Sequence, residues 1–149
     1  MFKSILFVCV GNICRSPMAE YWAREQLQKA GYQDINVSSA GMSNAMQGSP
    51  IAPETKAILD RFNIDSSAHI ARHINKNLVQ GADIVFVMES WQKKELSDVF
   101  AGTRGKIFCL GQPSDQEIVD PYRKAQDAFE TVFELVKENW KLWQNKLWK

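Results

Sequence analysis

Four short apolar runs, Ile5–Val10, Ile35–Ser38, Ile84–Val87 and Ile107–Leu110, alternate along the chain with longer segments whose apolar residues recur every three or four positions. Runs rich in Val, Ile and Phe suit strands covered on both faces, and strands that alternate with helices make a parallel sheet. The expected fold is therefore α/β, four strands with helices on both faces of the sheet. Helices are expected over Pro17–Ala30, Pro53–Phe62, Ser90–Phe100 and Lys124–Leu147, with a short one near Lys76–Gln80. In the last long segment Phe129, Val132, Phe133, Val136, Trp140, Trp143 and Leu147 step by three or four, one continuous stripe to bury. At 149 residues, with no linker or low-complexity tract, the chain reads as one domain spanning residues 1–149.

Formal charge is +1, with acidic and basic residues interspersed, so neither nucleic acid nor an anionic membrane surface is an expected partner. No stretch approaches the roughly 20 apolar residues of a membrane span. The first run ends Leu6-Phe7-Val8-Cys9, faintly like a lipoprotein cleavage site. It is barely as long as the ~7–15 residues of a signal core, and Val8 stands where a small residue is wanted. A buried first strand accounts for it better. Three cysteines, an odd count, suit no secreted disulfide framework, and a reducing cytoplasm is the expected setting.

Directly after that run comes Cys9-Val10-Gly11-Asn12-Ile13-Cys14-Arg15-Ser16-Pro17, which sets a Cys at a strand's carboxyl end and an Arg six positions on at a helix start. Wound into a cradle, the amides from Val10 to Arg15 can point inward, and the helix adds the positive end of its dipole. Gly11 can take positive φ without strain, Asn12 tolerates it, and Pro17 suits a first helical turn with Ser16 as N-cap. A free thiol ionises near ~8.5, and such surroundings lower that to roughly 3.5–7.5, so Cys9 is expected as a thiolate nucleophile. Arg15 offers a phosphate the bidentate fork that Lys lacks, and the Ser16 hydroxyl can donate to the sulfur. The competing view of a lone C-x5-R is a core Cys and a solvated Arg; the strand–helix context and a second motif argue against it.

That second motif is Asp120-Pro121-Tyr122, before the last helix. A tyrosine ester leaves as a phenolate whose conjugate acid has a pKa of about 10, so its departure at neutral pH calls for a proton donor. Asp120 is the candidate, Pro121 fixes the backbone behind it, and Tyr122 can wall a planar substrate. Asp115, Glu117 and Asp127 lie near enough in sequence to compete for the role.

With C-V-G-N-I-C-R-S-P-M-A-E near one end and D-P-Y near the other, the chain resembles the low-molecular-weight protein tyrosine phosphatases, bacterial type, over essentially its full length. Ser38-Ser39-Ala40-Gly41, His69-Ile70-Ala71-Arg72 and Ala82–Met88 fall where that family has similar segments. The resemblance implies a four-stranded parallel sheet of flavodoxin-like order, a phosphocysteine intermediate at Cys9, and Asp120 as acid and then base. It implies no metal and no cofactor. It also implies that Asn12, Ser39 and His69 hold the loop by hydrogen bonds, although a surface role for His69 stays open. Cys14 matches the family's second loop cysteine, able to form a reversible disulfide with Cys9. Cys109 reads as core.

Arg123 after Tyr122 and Ala45 in the loop after the second strand depart from the eukaryotic pattern of a second tyrosine and a tryptophan. The implied substrate is a phosphotyrosine protein, and the implied partner a bacterial tyrosine kinase of capsule or exopolysaccharide export. Three rivals remain. An arsenate reductase needs further thiols, and Val87–Trp91 holds none. A phosphoryl carrier would need neither Arg15 nor Asp120, and a phosphotyrosine-binding module would not need an intact nucleophile and acid.

Overall fold

In the computed structural model, which describes residues 2–148, the four apolar runs are the four strands of one parallel sheet. They are β1 (Ser4–Cys9), β2 (Asn36–Gly41), β3 (Ile84–Val87) and β4 (Ile107–Cys109), in the order β2-β1-β3-β4. Side chains alternate across each strand, so Ile5, Phe7 and Cys9 enter one core while Leu6 and Val8 enter the other. The first core is closed by α1 (Arg15–Lys29) and α5 (Gln126–Leu147), with α2 (Pro53–Arg61) beside them. The second is closed by α3 (Lys76–Gly81) and α4 (Ser90–Val99) through Val79 and Leu96. Both inner strands are thus covered twice, which is why their sequences lack polar alternation.

The chain leaves β1 toward β2 on one side and later returns to place β3 on the other. The strand order therefore switches direction between β1 and β3, and crevices at such points, beyond the strands' carboxyl ends, are where open α/β sheets bind ligands. Among the described residues no helix is long and apolar enough to cross a membrane.

Several boundaries differ from the sequence expectation, each for a local reason. Helix α1 begins at Arg15, so Ser16 lies inside it and Cys14 is the N-cap, with no side-chain cap bond. Pro17 is then the third helical residue, where its missing N–H had no intrahelical partner to lose. Strand β2 starts one residue later and runs on to Gly41, whose missing side chain lets it pass Val10: a Cβ there would lie 2.8 Å from Val10 O. Helix α5 starts at Gln126 because a turn closed by Lys124 N donating to Pro121 O (2.9 Å) precedes it. Gly11 is not in the left-handed region; Asn12 is, with φ of 59°. What Gly11 provides is room, since a Cβ would lie 3.2 Å from Met46 Cγ.

Candidate active site

The loop between β1 and α1 winds around a cavity of about 270 Å³ lined by Cys9, Val10, Gly11, Ile13, Cys14, Arg15, Ser43, Ala45, Met46, Asp120, Tyr122 and Arg123. A larger groove of about 590 Å³ runs along α4 past Lys93, Lys94 and Arg104, but it has no thiol and no buried charge. The loop's bend at Asn12 turns its amide toward Cys9, at 3.3 Å from Sγ. Among the described residues the amides of Gly11, Ile13 and Cys14 donate to no other protein group. Amides left free in a tight loop at a helix N-terminus are an anion seat.

A buried network fixes the loop from behind. Asn12 Oδ1 accepts from Arg72 N (3.0 Å), so its Nδ2 must donate, and it does so to Ser16 Oγ and Ser39 Oγ, both at 2.9 Å. Ser39 in turn donates to Glu20 Oε1 (2.5 Å), and Arg24 binds the other Glu20 oxygen. Because Ser16 Oγ already accepts from Asn12, its own proton is free for Cys9 Sγ, 2.9 Å away. His69 is buried, and its Nε2 lies 2.7 Å from Asn12 O; a carbonyl only accepts, so this nitrogen carries the proton.

Arg15 is 1% exposed, and a buried guanidinium must be paired. Its Nη1 donates to Glu89 Oε2 (2.7 Å) and Ile118 O (2.8 Å). That leaves Nε, which has no partner on the protein, and Nη2, 3.9 Å from Asp120 Oδ2. The unengaged Nε–Nη2 edge is one of the two forks by which Arg binds two oxygens of an oxyanion.

Of the four acidic residues near the last helix, Asp120 lines the cavity. Glu117 is engaged elsewhere: it accepts from Ser90 N and, at 2.7 Å, from Ser90 Oγ. Asp115 and Asp127 are exposed and lie outside the lining. Asp120 Oδ1 accepts from Tyr122 N (3.0 Å), which leaves Oδ2 on the Arg15 side. Burial pushes the Cys14 thiol up to about 12, with the negative charges of Cys9 and Asp120 adding to it. Cys14 is therefore a protonated thiol at neutral pH. Cys109 is half-buried against the second core, and burial raises its thiol as well.

Sequence reasoning gave no role to Glu20, though it closes the C-V-G-N-I-C-R-S-P-M-A-E motif, or to Glu89. Glu20 is placed by the helix period alone, one turn beyond Ser16. For Glu89 a signal existed: it follows Met88 at the carboxyl end of the strand next to β1, where ligand-facing residues collect.

A family model described as low molecular weight phosphotyrosine protein phosphatase matches residues 4–149. The chain is 39% identical over 136 residues to the low molecular weight protein-tyrosine-phosphatase Ptp of Acinetobacter johnsonii, covering 91% of this chain and 92% of that protein. It is 36% identical over 148 residues to the low molecular weight protein-tyrosine-phosphatase Wzb of Salmonella typhimurium, covering 99% and 95%. Among solved structures, Vibrio vulnificus Wzb in complex with benzylphosphonate superposes with a TM-score of 0.90 at 30% identity, over 99% of this chain and 100% of that one. Sequence, sheet order and relatives agree that the chain belongs to the low molecular weight protein-tyrosine-phosphatase family of phosphoric monoester hydrolases.

Proposed function

We propose that the protein hydrolyses phosphotyrosine in protein substrates through a phosphocysteine intermediate on Cys9. The observation that carries this reading is the buried Arg15, whose Nη1 is tied to Glu89 and Ile118 while its Nε–Nη2 edge is unengaged, in a cavity shared with Cys9 and Asp120. The substrate phosphate sits in the loop, held by the Arg15 edge and by amides of Val10 to Arg15. The Cys9 thiolate attacks phosphorus, the bond to the tyrosine oxygen breaks, and that oxygen takes the proton of the Asp120 carboxyl. Asp120, now a carboxylate, removes a proton from water as the water oxygen attacks the same phosphorus. The S–P bond breaks, and Ser16 stabilises the departing thiolate by donating to it. Asn12, Ser39 and His69 act by keeping the loop's shape rather than by touching substrate.

Ile13, Ala45, Met46 and Tyr122 give the cavity apolar walls that suit an aryl ring. Cys14, as a neutral thiol beside the nucleophile, is a partner for Cys9 once peroxide has converted it to the sulfenic acid, forming a disulfide and releasing water. A nucleophile that must stay reduced suits a cytoplasmic setting. The resemblance to bacterial members makes an autophosphorylating tyrosine kinase of capsule or exopolysaccharide export the proposed partner.

The reading is tested by turnover of phosphotyrosine peptides beside phosphoserine peptides and arsenate, with Cys9→Ser as control. Phosphotyrosine is expected to be hydrolysed far faster than phosphoserine, arsenate not to be reduced, and Cys9→Ser to be inactive yet still to bind phosphate. Substantial turnover by Cys9→Ser would sink the phosphocysteine route.

A further inference from the structure

Two residues that line the cavity are not used by the hydrolysis above: Ser43, whose hydroxyl accepts from Ala45 N within its own loop, and Arg123, the charged one. Arg123 borders the same space as Cys9 and Asp120, and it is exposed. Its backbone is left-handed, with φ of 65°, and it occupies the third position of the turn closed by Lys124 N donating to Pro121 O. A turn with positive φ at that position is normally made with Gly or Asn, because a Cβ there crowds the neighbouring carbonyl. An arginine therefore costs stability where the fold alone would be better served by glycine. Its guanidinium lies 5.3 Å from the centre of the Tyr122 ring, which steadies the long side chain at the cavity mouth. Among the described residues it forms no ion pair; Arg72 and Arg104 form none either, but neither lines this cavity, and Arg15, which does, is paired with Glu89.

We infer that Arg123 is a specificity-determining residue, selecting phosphotyrosine substrates that carry a negatively charged group on a residue flanking the phosphotyrosine. The turn fixes where the charge stands, the ring limits how far it moves, and the lack of an internal carboxylate leaves it available to the substrate. A carboxylate or a second phosphate supplies the same recognition. The inference rests on the phosphotyrosine reading and adds the chemistry of the flanking residue to it.

The test compares kcat/KM on three peptides of one sequence, with Gln, Glu or phosphoserine beside the phosphotyrosine, for the parent, Arg123→Lys and Arg123→Gly. The parent is expected to favour the Glu peptide over the Gln peptide by about two- to fivefold at low salt, the size of a solvent-exposed ion pair. The phosphoserine peptide should be favoured at least as much, since it carries more charge. The preference should reside in KM and fade as salt rises. Arg123→Lys should keep most of the preference. Arg123→Gly should bring the ratios to about one while unfolding at no lower temperature than the parent, which separates recognition from a structural role. A parent that hydrolyses all three peptides equally, or an Arg123→Gly that retains the preference, overturns the inference and leaves the phosphotyrosine reading standing. Failure of the parent on all three overturns both.

Discussion

Glu89 and Asp120 both approach Arg15, and their distances and exposure divide the work between them. Glu89 lies at 2.7 Å and is largely buried, a pairing that fixes the guanidinium and offsets its desolvation. Asp120 lies at 3.9 Å from Nη2 and its side chain is 43% exposed, a looser contact that leaves the carboxyl open to the cavity, as the proposed proton donor has to be. Replacing Asp120 by Asn keeps the shape and removes the transferable proton. With phenyl or tyrosyl phosphate, kcat is expected to fall by about 10²–10⁴, the usual contribution of a positioned acid. With a strongly acidic phenol the step that forms the intermediate should fall much less, and phosphate inhibition should hardly change. Single-turnover rates across phenols of graded acidity, for Asp120→Asn beside Asp115→Asn, check this. A uniform loss for Asp120→Asn, or a steeper dependence for Asp115→Asn, would move the acid elsewhere.

The segment that carries Asp120 has little regular structure, and its position comes from ties to the β3–α4 junction. Glu117 receives Ser90 N and Oγ at the start of α4, Ile118 N donates to Met88 O at 3.0 Å, and Ile118 O receives Arg15. Gly111 opens the segment at a point where a Cβ would lie 1.9 Å from Gln116 O, so no other residue fits without moving the loop. A carboxylate at a helix N-terminus also meets the favourable end of the dipole. Glu117 itself contacts neither Cys9 nor Arg15, and Ile118 keeps its own bonds to Met88 and Arg15, so Glu117→Ala should chiefly loosen Asp120. The expected result is a kcat loss, up to ~10²-fold for poor leaving groups and smaller for acidic phenols, since misplacement of a reacting group by about 1 Å can cost that much. Equal losses across the phenol series would mean that Glu117 acts on something other than the acid.

Across the whole molecule, the reactive loop is held by strands whose far support is α5. Trp140 is buried among Phe7 of β1, Phe86 of β3 and Trp148, with ring centres 5.7, 6.0 and 5.7 Å away. Trp143 stacks edge-on against Phe86 and donates its indole N–H to Leu110 O at 2.9 Å, beyond the end of β4. Removing the largest of these side chains should cost about 3–5 kcal/mol, the range for Trp or Phe cut to Ala in a core. Trp140→Ala is thus expected to lower the urea midpoint strongly. Its activity per folded molecule at low urea should stay near that of the parent, because Trp140 is not among the residues that line the cavity. A midpoint shift worth less than about 1 kcal/mol would show that α5 is not the support proposed, being below the usual cost of such a truncation.

Sequence determined most of this protein where the determinants are local. The apolar runs and the three-and-four spacing of α5 follow from side-chain period, which is set by backbone geometry alone. The Cys9–Arg15 spacing was legible because both residues lie in one loop a few positions apart. Tertiary structure decided what depends on residues distant in sequence. The sequence already offered the Ser16 hydroxyl to Cys9 but made the residue an N-cap, and only the wound loop puts it inside α1 with that contact kept. The Asp120-Pro121-Tyr122 motif singled out Asp120 but left Asp115, Glu117 and Asp127 as competitors, and only the fold puts Asp120 in the cavity lining and Glu117 on Ser90, 27 positions away. Glu89 and Arg15, 74 positions apart, carry no joint signal in one sequence. They meet because β1 and β3 are adjacent and parallel, which brings their carboxyl ends, and the charges just beyond them, to the same edge of the sheet.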